Sequence, residues 1–238
     1  MNVRIAALAA AALLLPAAAP AWTADDGPAL AHAAAAAYAA SVRGTATFEV
    51  DSRTIIRGGP IHREDVETTR YVERDGHAVR KVVTQLVESG KTSDAEDLAR
   101  RSAEPDGPLS RFGLRLPYTV PADYTYEAPR PAESHLALAF HATVRDEAHG
   151  DGTMVLDPAA RRIVSVTFVP AKLPAHATSA QITVDFAAVA ADRWDVVRIT
   201  RAFAGRSGIF RGTATAVSTY VHYRLFATTE GAEAALLP

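Results

Sequence analysis

From residue 45 onward, apolar and polar side chains alternate with period two, the spacing that puts every second residue on one face of a strand. Phe48, Val50, Thr54 and Ile56 alternate with Glu49, Asp51 and Arg53, predicting a strand over 45–56 that ends at Arg57-Gly58-Gly59-Pro60. A more polar strand is predicted over 63–74 and a third over 77–88, joined by Asp75-Gly76, a pair suited to a two-residue hairpin turn. Residues 91–110 lose the alternation and read as one short helix, with Leu98 inward, running into Pro105-Asp106-Gly107-Pro108. A Pro- and Tyr-rich stretch over 116–131 follows.

The second half is cleaner β text. Leu136, Leu138, Phe140, Ala142 and Val144 share one face, and Gly150-Asp151-Gly152 reads as a turn. Strands over 153–156 and 162–168 flank Asp157-Pro158-Ala159-Ala160-Arg161, and three more are predicted over 180–189, 196–204 and 209–226. Amphipathic helical spacing marks 29–42, where Leu30, Ala34, Tyr38 and Val42 fall on one side, acidic capping residues precede, and Gly44 stops the run. Nine or ten closely spaced strands behind one helix predict an antiparallel meander. No linker divides it, so residues 22–238 are expected to form one domain.

Composition then changes how the apolarity is read. Of 238 residues, 48% are hydrophobic, but about fifty are Ala, crowded into the first forty positions. Residues 1–21 combine Arg4, an apolar run over 5–15, Pro16 and the small-residue ending Ala19-Pro20-Ala21, the layout of a secretory signal cleaved after Ala21 or Ala19. The run falls well short of the roughly twenty residues that span a bilayer. With no Cys in the chain, lipid attachment at the cleavage site, disulfides and thiolate metal sites are excluded. The expected destination is the periplasm, in soluble form, with secretion as the second choice and no membrane span left after cleavage. A net charge of −2 offers no basic field for nucleic acid.

Candidate chemistry is sparse. Ser89-Gly90-Lys91-Thr92 lacks the first glycine of a phosphate loop, because Gln85 stands in that place, and it reads as a turn and helix cap. Gly205-Arg206-Ser207-Gly208 lacks the glycine two residues beyond Ser207 that a nucleophile elbow needs, and reads as a hairpin turn. His141, His149 and Asp151 could converge across a hairpin as a surface zinc site, but the reading adopted is no metal and no cofactor. His62, His77, His176 and His222 are isolated, and no pair of carboxylates stands out for glycoside chemistry. Tyr118, Tyr124 and Tyr126, framed by Pro117, Pro121, Pro129 and Pro131, suit either a cavity mouth, where a ring and its polar tip are both useful, or an extended sheet edge.

The stretch Gly152-Thr153-Met154-Val155-Leu156-Asp157-Pro158-Ala159-Ala160-Arg161-Arg162-Ile163-Val164, the run from Pro170 to Ala177, Trp194 before Val196-Val197-Arg198, and the opening Val42-Arg43-Gly44-Thr45-Ala46-Thr47-Phe48 together resemble the periplasmic lipoprotein-carrier superfamily. That group includes the outer-membrane lipoprotein-sorting proteins and the sensor domain of anti-sigma-factor regulators. The resemblance implies a mainly β fold with a few helices: a strongly curved antiparallel sheet, an incomplete barrel, covered by the N-terminal and mid-chain helices. It also implies an apolar cavity for a lipid or lipoprotein acyl chains, lined here by Phe48, Val50, Leu138, Phe140, Val184, Phe186, Ile199 and Phe203. The carriers place an Arg inside the cavity to couple lid and sheet, and no residue of this sequence matches it; Arg70 and Arg80 read as solvated. The function expected is a non-enzymatic carrier. The alternative is an envelope protein-interaction or stress-sensing module, with a protein partner in place of a small ligand.

Overall fold

The computed structural model describes residues 23, 26–207 and 210–236, so the signal-like segment 1–21 lies outside the described residues. The chain opens with helix α1 (Asp26–Ser41), then runs through strands β1 (Thr45–Gly58), β2 (Ile61–Arg74), β3 (His77–Glu88) and β4 (Lys91–Thr92). After helix α2 (Ala95–Ala103) come β5 (Tyr124–Tyr126), β6 (Arg130–Ala132), β7 (His135–Ala142), β8 (Gly150–Asp157), β9 (Arg162–Pro170), β10 (Ala177–Ala190), β11 (Arg193–Ser207), β12 (Phe210–Phe226) and helix α3 (Thr229–Ala234).

Among the described residues the strands form one antiparallel sheet in the order β4-β3-β2-β1-β12-β11-β10-β9-β8-β7-β5, with β6 also pairing β7. The sheet curves without closing, an incomplete barrel. Its order explains what covers the inner face. β4 and β5 lie at opposite edges yet are consecutive strands in the chain, so residues 93–123 must travel from one edge to the other, and they cross the inner face to do so. The mid-chain cover is therefore α2 together with the segment after it, and that segment supplies the interior side chains. No residue of α2 is buried; it packs along β3, where Ser102 Oγ accepts from Val83 N at 2.8 Å. Leu114, Leu116 and Tyr118 are buried in the main core, with Leu109 and Phe112 packed against it.

Turn chemistry sets the register of the first meander. Asp75 and Gly76 both have positive φ (50° and 82°), as do Ser89 and Gly90 (52° and 80°), the backbone that a two-residue hairpin needs and a Gly adopts without strain. Gly150-Asp151-Gly152 departs from the turn predicted for it: these residues lie in β8, and 143–149 make the connection. The glycines answer to packing. A Cβ on Gly152 would stand 2.1 Å from Thr167 O, and one on Gly150 would stand 2.4 Å from Phe168 Cδ2, so at these two positions the approach of β9 leaves no room for a side chain. Val144, expected on the inner face of β7, lies beyond its end and is exposed.

Helix α1 lies over β9 and β11 with Ala31 and Ala34 buried and Leu30 and Tyr38 packed on the core. Small side chains let the helix sit close: a Cβ on Gly27 would come within 2.6 Å of Glu127 O. A separate small cluster of Val72, Ala232 and Leu236 holds α3 to β2.

Candidate functional site

Three features of the inner face bear on function: a buried charge cluster, a polar cleft and an apolar cleft. The cluster comprises Glu73 on β2, Arg111 on the crossing segment, and Arg193 and Asp195 on β11. Both carboxylates are fully buried and the two arginines nearly so. Arg111 Nη2 lies 2.6 Å from Asp195 Oδ1 and 2.7 Å from Glu73 Oε2, the second an ion contact outside hydrogen-bond geometry. Arg193 donates to Asp195 Oδ2 through Nε at 2.9 Å and to Glu73 Oε1 through Nη2. Two cations and two anions thus close a neutral ring, the condition under which buried charge is tolerated.

The ring's outer contacts tie the layers together. Asp195 Oδ1 accepts from Val196 N at 2.8 Å and from Tyr38 of α1 at 3.3 Å; Arg193 Nη1 donates to Val42 O at 3.4 Å. Arg111 Nη1 donates to Tyr223 Oη at 2.9 Å, and its guanidinium lies 4.8 Å from the centre of the Phe48 ring and 5.6 Å from that of Tyr220. Burial alone would lower the Arg111 pKa, but Asp195, Tyr223 and Glu73 hold it well above the ordinary guanidinium range. Burial, with Asp195 adding to it, pushes the Tyr38 phenol well up. Neither of these groups gives up its proton near neutral pH, while burial, opposed by Arg111, raises the Glu73 carboxyl above its ordinary range; the ring's contacts make it a clamp between the layers.

Beside the clamp, a cleft of 580 Å³ opens between β1–β3, β12 and residues 105–112. Its walls carry the hydroxyls of Ser52, Thr54, Thr69 and Ser218 and charges of both signs. Several of those charges are partnered within the protein: Asp106 accepts from Tyr71 Oη at 2.9 Å and faces Lys81 Nζ at 3.6 Å, Glu67 binds Arg101 at 3.0 Å, and Arg201 donates to Leu109 O at 2.8 Å. At the far ends of β1, β11 and β12 lies a second cleft of 410 Å³, apolar in its walls, formed by Ile56, Ile61, Leu109, Pro174, Phe203 and Ala214. Ile61 is 55% exposed there.

The side chains expected to line a cavity divide between these features. Leu138, Phe140, Val184, Phe186 and Ile199 are buried in the core beneath α1 and the crossing segment, so protein already covers them. Phe48 is stacked among Tyr71, Tyr223 and the Arg111 guanidinium; Val50 borders the polar cleft; Phe203 lines the apolar one. The three tyrosines considered for a cavity mouth anchor the crossing segment instead. Tyr118, 3% exposed, meets Tyr38 and Phe186 edge-on at 5.1 Å each, its hydroxyl without a partner among the described residues. Tyr124 donates to Arg115 O, and Tyr126 donates to Pro121 O at 2.8 Å. An aromatic ring with one backbone acceptor in reach is a good pin for an extended segment.

His141, His149 and Asp151 do not converge. His149 is held between Asp146 at 2.7 Å and Asp123 at 3.2 Å, His141 faces Glu127 at 3.3 Å, and Asp151 accepts from Ala142 N and pairs Arg145. Among the described residues no group of three metal-ligating side chains is present. Arg70 binds Glu49 on the exposed strand face, as its setting suggested.

The clamp escaped the sequence reading because its members are scattered over some 120 residues and become neighbours only when β2 and β11 face each other across the curved sheet. One signal was available. Glu73 stands two residues from Tyr71, so period two puts its charge on an inward apolar face.

No protein-family model and no curated protein matches the chain. Among solved structures it is similar to a LolA superfamily protein from Nitrosomonas europaea, at 13% identity and TM-score 0.47 over 89% of this chain and 97% of that one. It is also similar to a putative outer membrane lipoprotein-sorting protein domain from Vibrio parahaemolyticus, at 12% identity and TM-score 0.45 over 85% of this chain and 93% of that one. A third likeness is to a DUF1329 family protein from Desulfovibrio piger, at 11% identity and TM-score 0.43 over 86% and 94%.

Proposed function

We propose that this chain is a non-enzymatic binding protein of the bacterial envelope that shelters an apolar ligand, a lipid or an acyl chain, at the open end of its half-barrel. The observation that carries the reading is the 410 Å³ cleft walled by Ile56, Ile61, Leu109 and Phe203, a size within the range of small-molecule sites. The core beneath α1 is filled by its own side chains, so a ligand belongs at the cleft, with Phe203 the member of the expected lining set that would touch it. The signal-like segment 1–21 supports export to the periplasm. Among the described residues, no helix is long and apolar enough to cross a membrane.

Partner binding by strand addition finds less support. At one edge β4 pairs only Val87 and Glu88 of β3, the rest of which is flanked by α2; at the other lie β5 and β6, of three residues each, the last carrying Pro131, and covered or short, proline-bearing edges resist pairing. Native mass spectrometry of the mature protein tests the proposal. Added mass in the lipid range, lost in Phe203→Asp, is the expected result. A bare protein that also fails to bind an environment-sensitive apolar dye overturns it.

A further inference from the structure

The two clefts differ in charge as well as polarity. The polar cleft is bordered by Asp65, Glu67, Glu88, Asp106 and Glu147 along with its cations, whereas the charged residues bordering the apolar cleft are Arg57, Arg206 and Arg211, with no carboxylate. In a chain of net charge −2 this is a local excess of one sign. Register explains how it is built. Arg206 lies directly opposite Arg211 across β11 and β12. Arg57 lies opposite Thr213, two residues from Arg211, so the three arginines occupy one face of three neighbouring strands. Like charges set directly opposite weaken a sheet, and an anion beside Arg57 and Arg211 would offset that repulsion. Arg57 and Arg211 are exposed and make no ion pair among the described residues.

That face is turned away from Ile56 and Phe203, but at the strand ends all of them border the one cleft. The same arginines border an adjoining hollow of 760 Å³, and Gly58, Gly205 and Gly212 border both spaces. The two spaces thus share a rim, over which a ligand whose tail occupies the apolar cleft can turn its head. Guanidinium is suited to the planar, paired oxygens of carboxylate and phosphate.

Resting on the apolar-ligand reading, we infer that the ligand is an anionic amphiphile: an alkyl chain on Ile56, Ile61 and Phe203, and a carboxylate or phosphate head on Arg57 and Arg211. Four twelve-carbon probes, each below its micellar concentration, separate the parts: laurate, dodecyl phosphate, dodecyl maltoside and dodecyltrimethylammonium, with inorganic phosphate as the headgroup alone. In calorimetric titrations, at least one of the two anionic probes binds roughly tenfold or more tighter than the maltoside, the gain of charge-assisted hydrogen bonds. Which of laurate and dodecyl phosphate is tighter assigns the head as carboxylate or phosphate. The double substitution Arg57→Ala/Arg211→Ala, at exposed positions, removes that advantage while leaving maltoside binding in place. Each methylene removed from the anionic chain weakens binding about fourfold. Equal binding of all four probes overturns the anionic assignment and leaves the apolar-ligand reading standing. Binding of inorganic phosphate as tight as that of dodecyl phosphate makes the rim a free-anion site and also overturns it. No binding of any alkyl probe removes both.

Discussion

Along β7–β10 the inner face of the sheet carries Leu138, Phe140, Val166, Phe168, Ile182 and Val184, fully or almost fully buried under α1 and the crossing segment. Along β1, β2 and the outer lengths of β11 and β12 the same face carries Ser52, Thr54, Asp65, Glu67, Ala216 and Ser218 and opens into clefts. One half is dry and interdigitated; the other is roofed by residues 105–112 and held by charges and hydrogen bonds. Apolar packing needs only volume and pattern, whereas the roof needs particular partners, above all the Glu73, Arg111, Arg193 and Asp195 ring. A half-barrel built this way has a filled end that supports the fold and an open end with room to hold something else.

The contrast is broken most severely at the ring. Arg193→Met leaves Glu73 and Asp195, both fully buried, short of one cation, and urea denaturation is expected to show a loss of about 3–5 kcal/mol. Adding Glu73→Gln removes one stranded charge, so the double variant should lose less than the sum of the single losses. An additive result would mean that the ring does not act as a unit.

Next comes the difference between the halves themselves. Phe140→Ala empties a fully enclosed position and should cost about 3–5 kcal/mol, whereas Phe203→Ala, half-buried beside an open cleft, should cost about 1 kcal/mol or less. Equal losses in thermal unfolding would show that both ends are packed alike.

The smallest effect concerns acid. The Asp157 carboxylate is held below its ordinary range by the N–H groups of Ala160 and Ala159 in the turn between β8 and β9. A depressed carboxylate stabilises the fold fully above the unfolded value of about 3.9, and that contribution is lost as pH falls through the lower folded value. Asp157→Asn keeps an acceptor for both N–H groups, so its melting temperature should fall less steeply between pH 5 and pH 2 than that of the parent. Identical slopes would place the acid sensitivity elsewhere.

Much of the architecture was legible from residue order. The hairpins at Asp75-Gly76 and Asp157-Pro158 follow from turn chemistry, and β7 from alternation, because both are local rules read over a few residues. The glycines of β8 misled for an instructive reason: Gly150 and Gly152 look like a turn in one dimension, but their role is set by Phe168 on the neighbouring strand. The candidate site was less legible. Phe203 was picked out by period two, as was Phe140, and nothing in that pattern says that α1 covers one and leaves the other open.

The sequence by itself determined the meander, the leading helix, the absence of thiol chemistry and the alternation that gives the sheet one apolar side. Only the tertiary structure decided that 93–123 crosses the inner face, that four distant charges close into a neutral clamp, and that three arginines gather at the mouth of an apolar cleft. Strand periodicity and turns depend on interactions a few residues apart. The crossing, the clamp and the rim depend on which strands become neighbours when the sheet curves, a property of the whole chain.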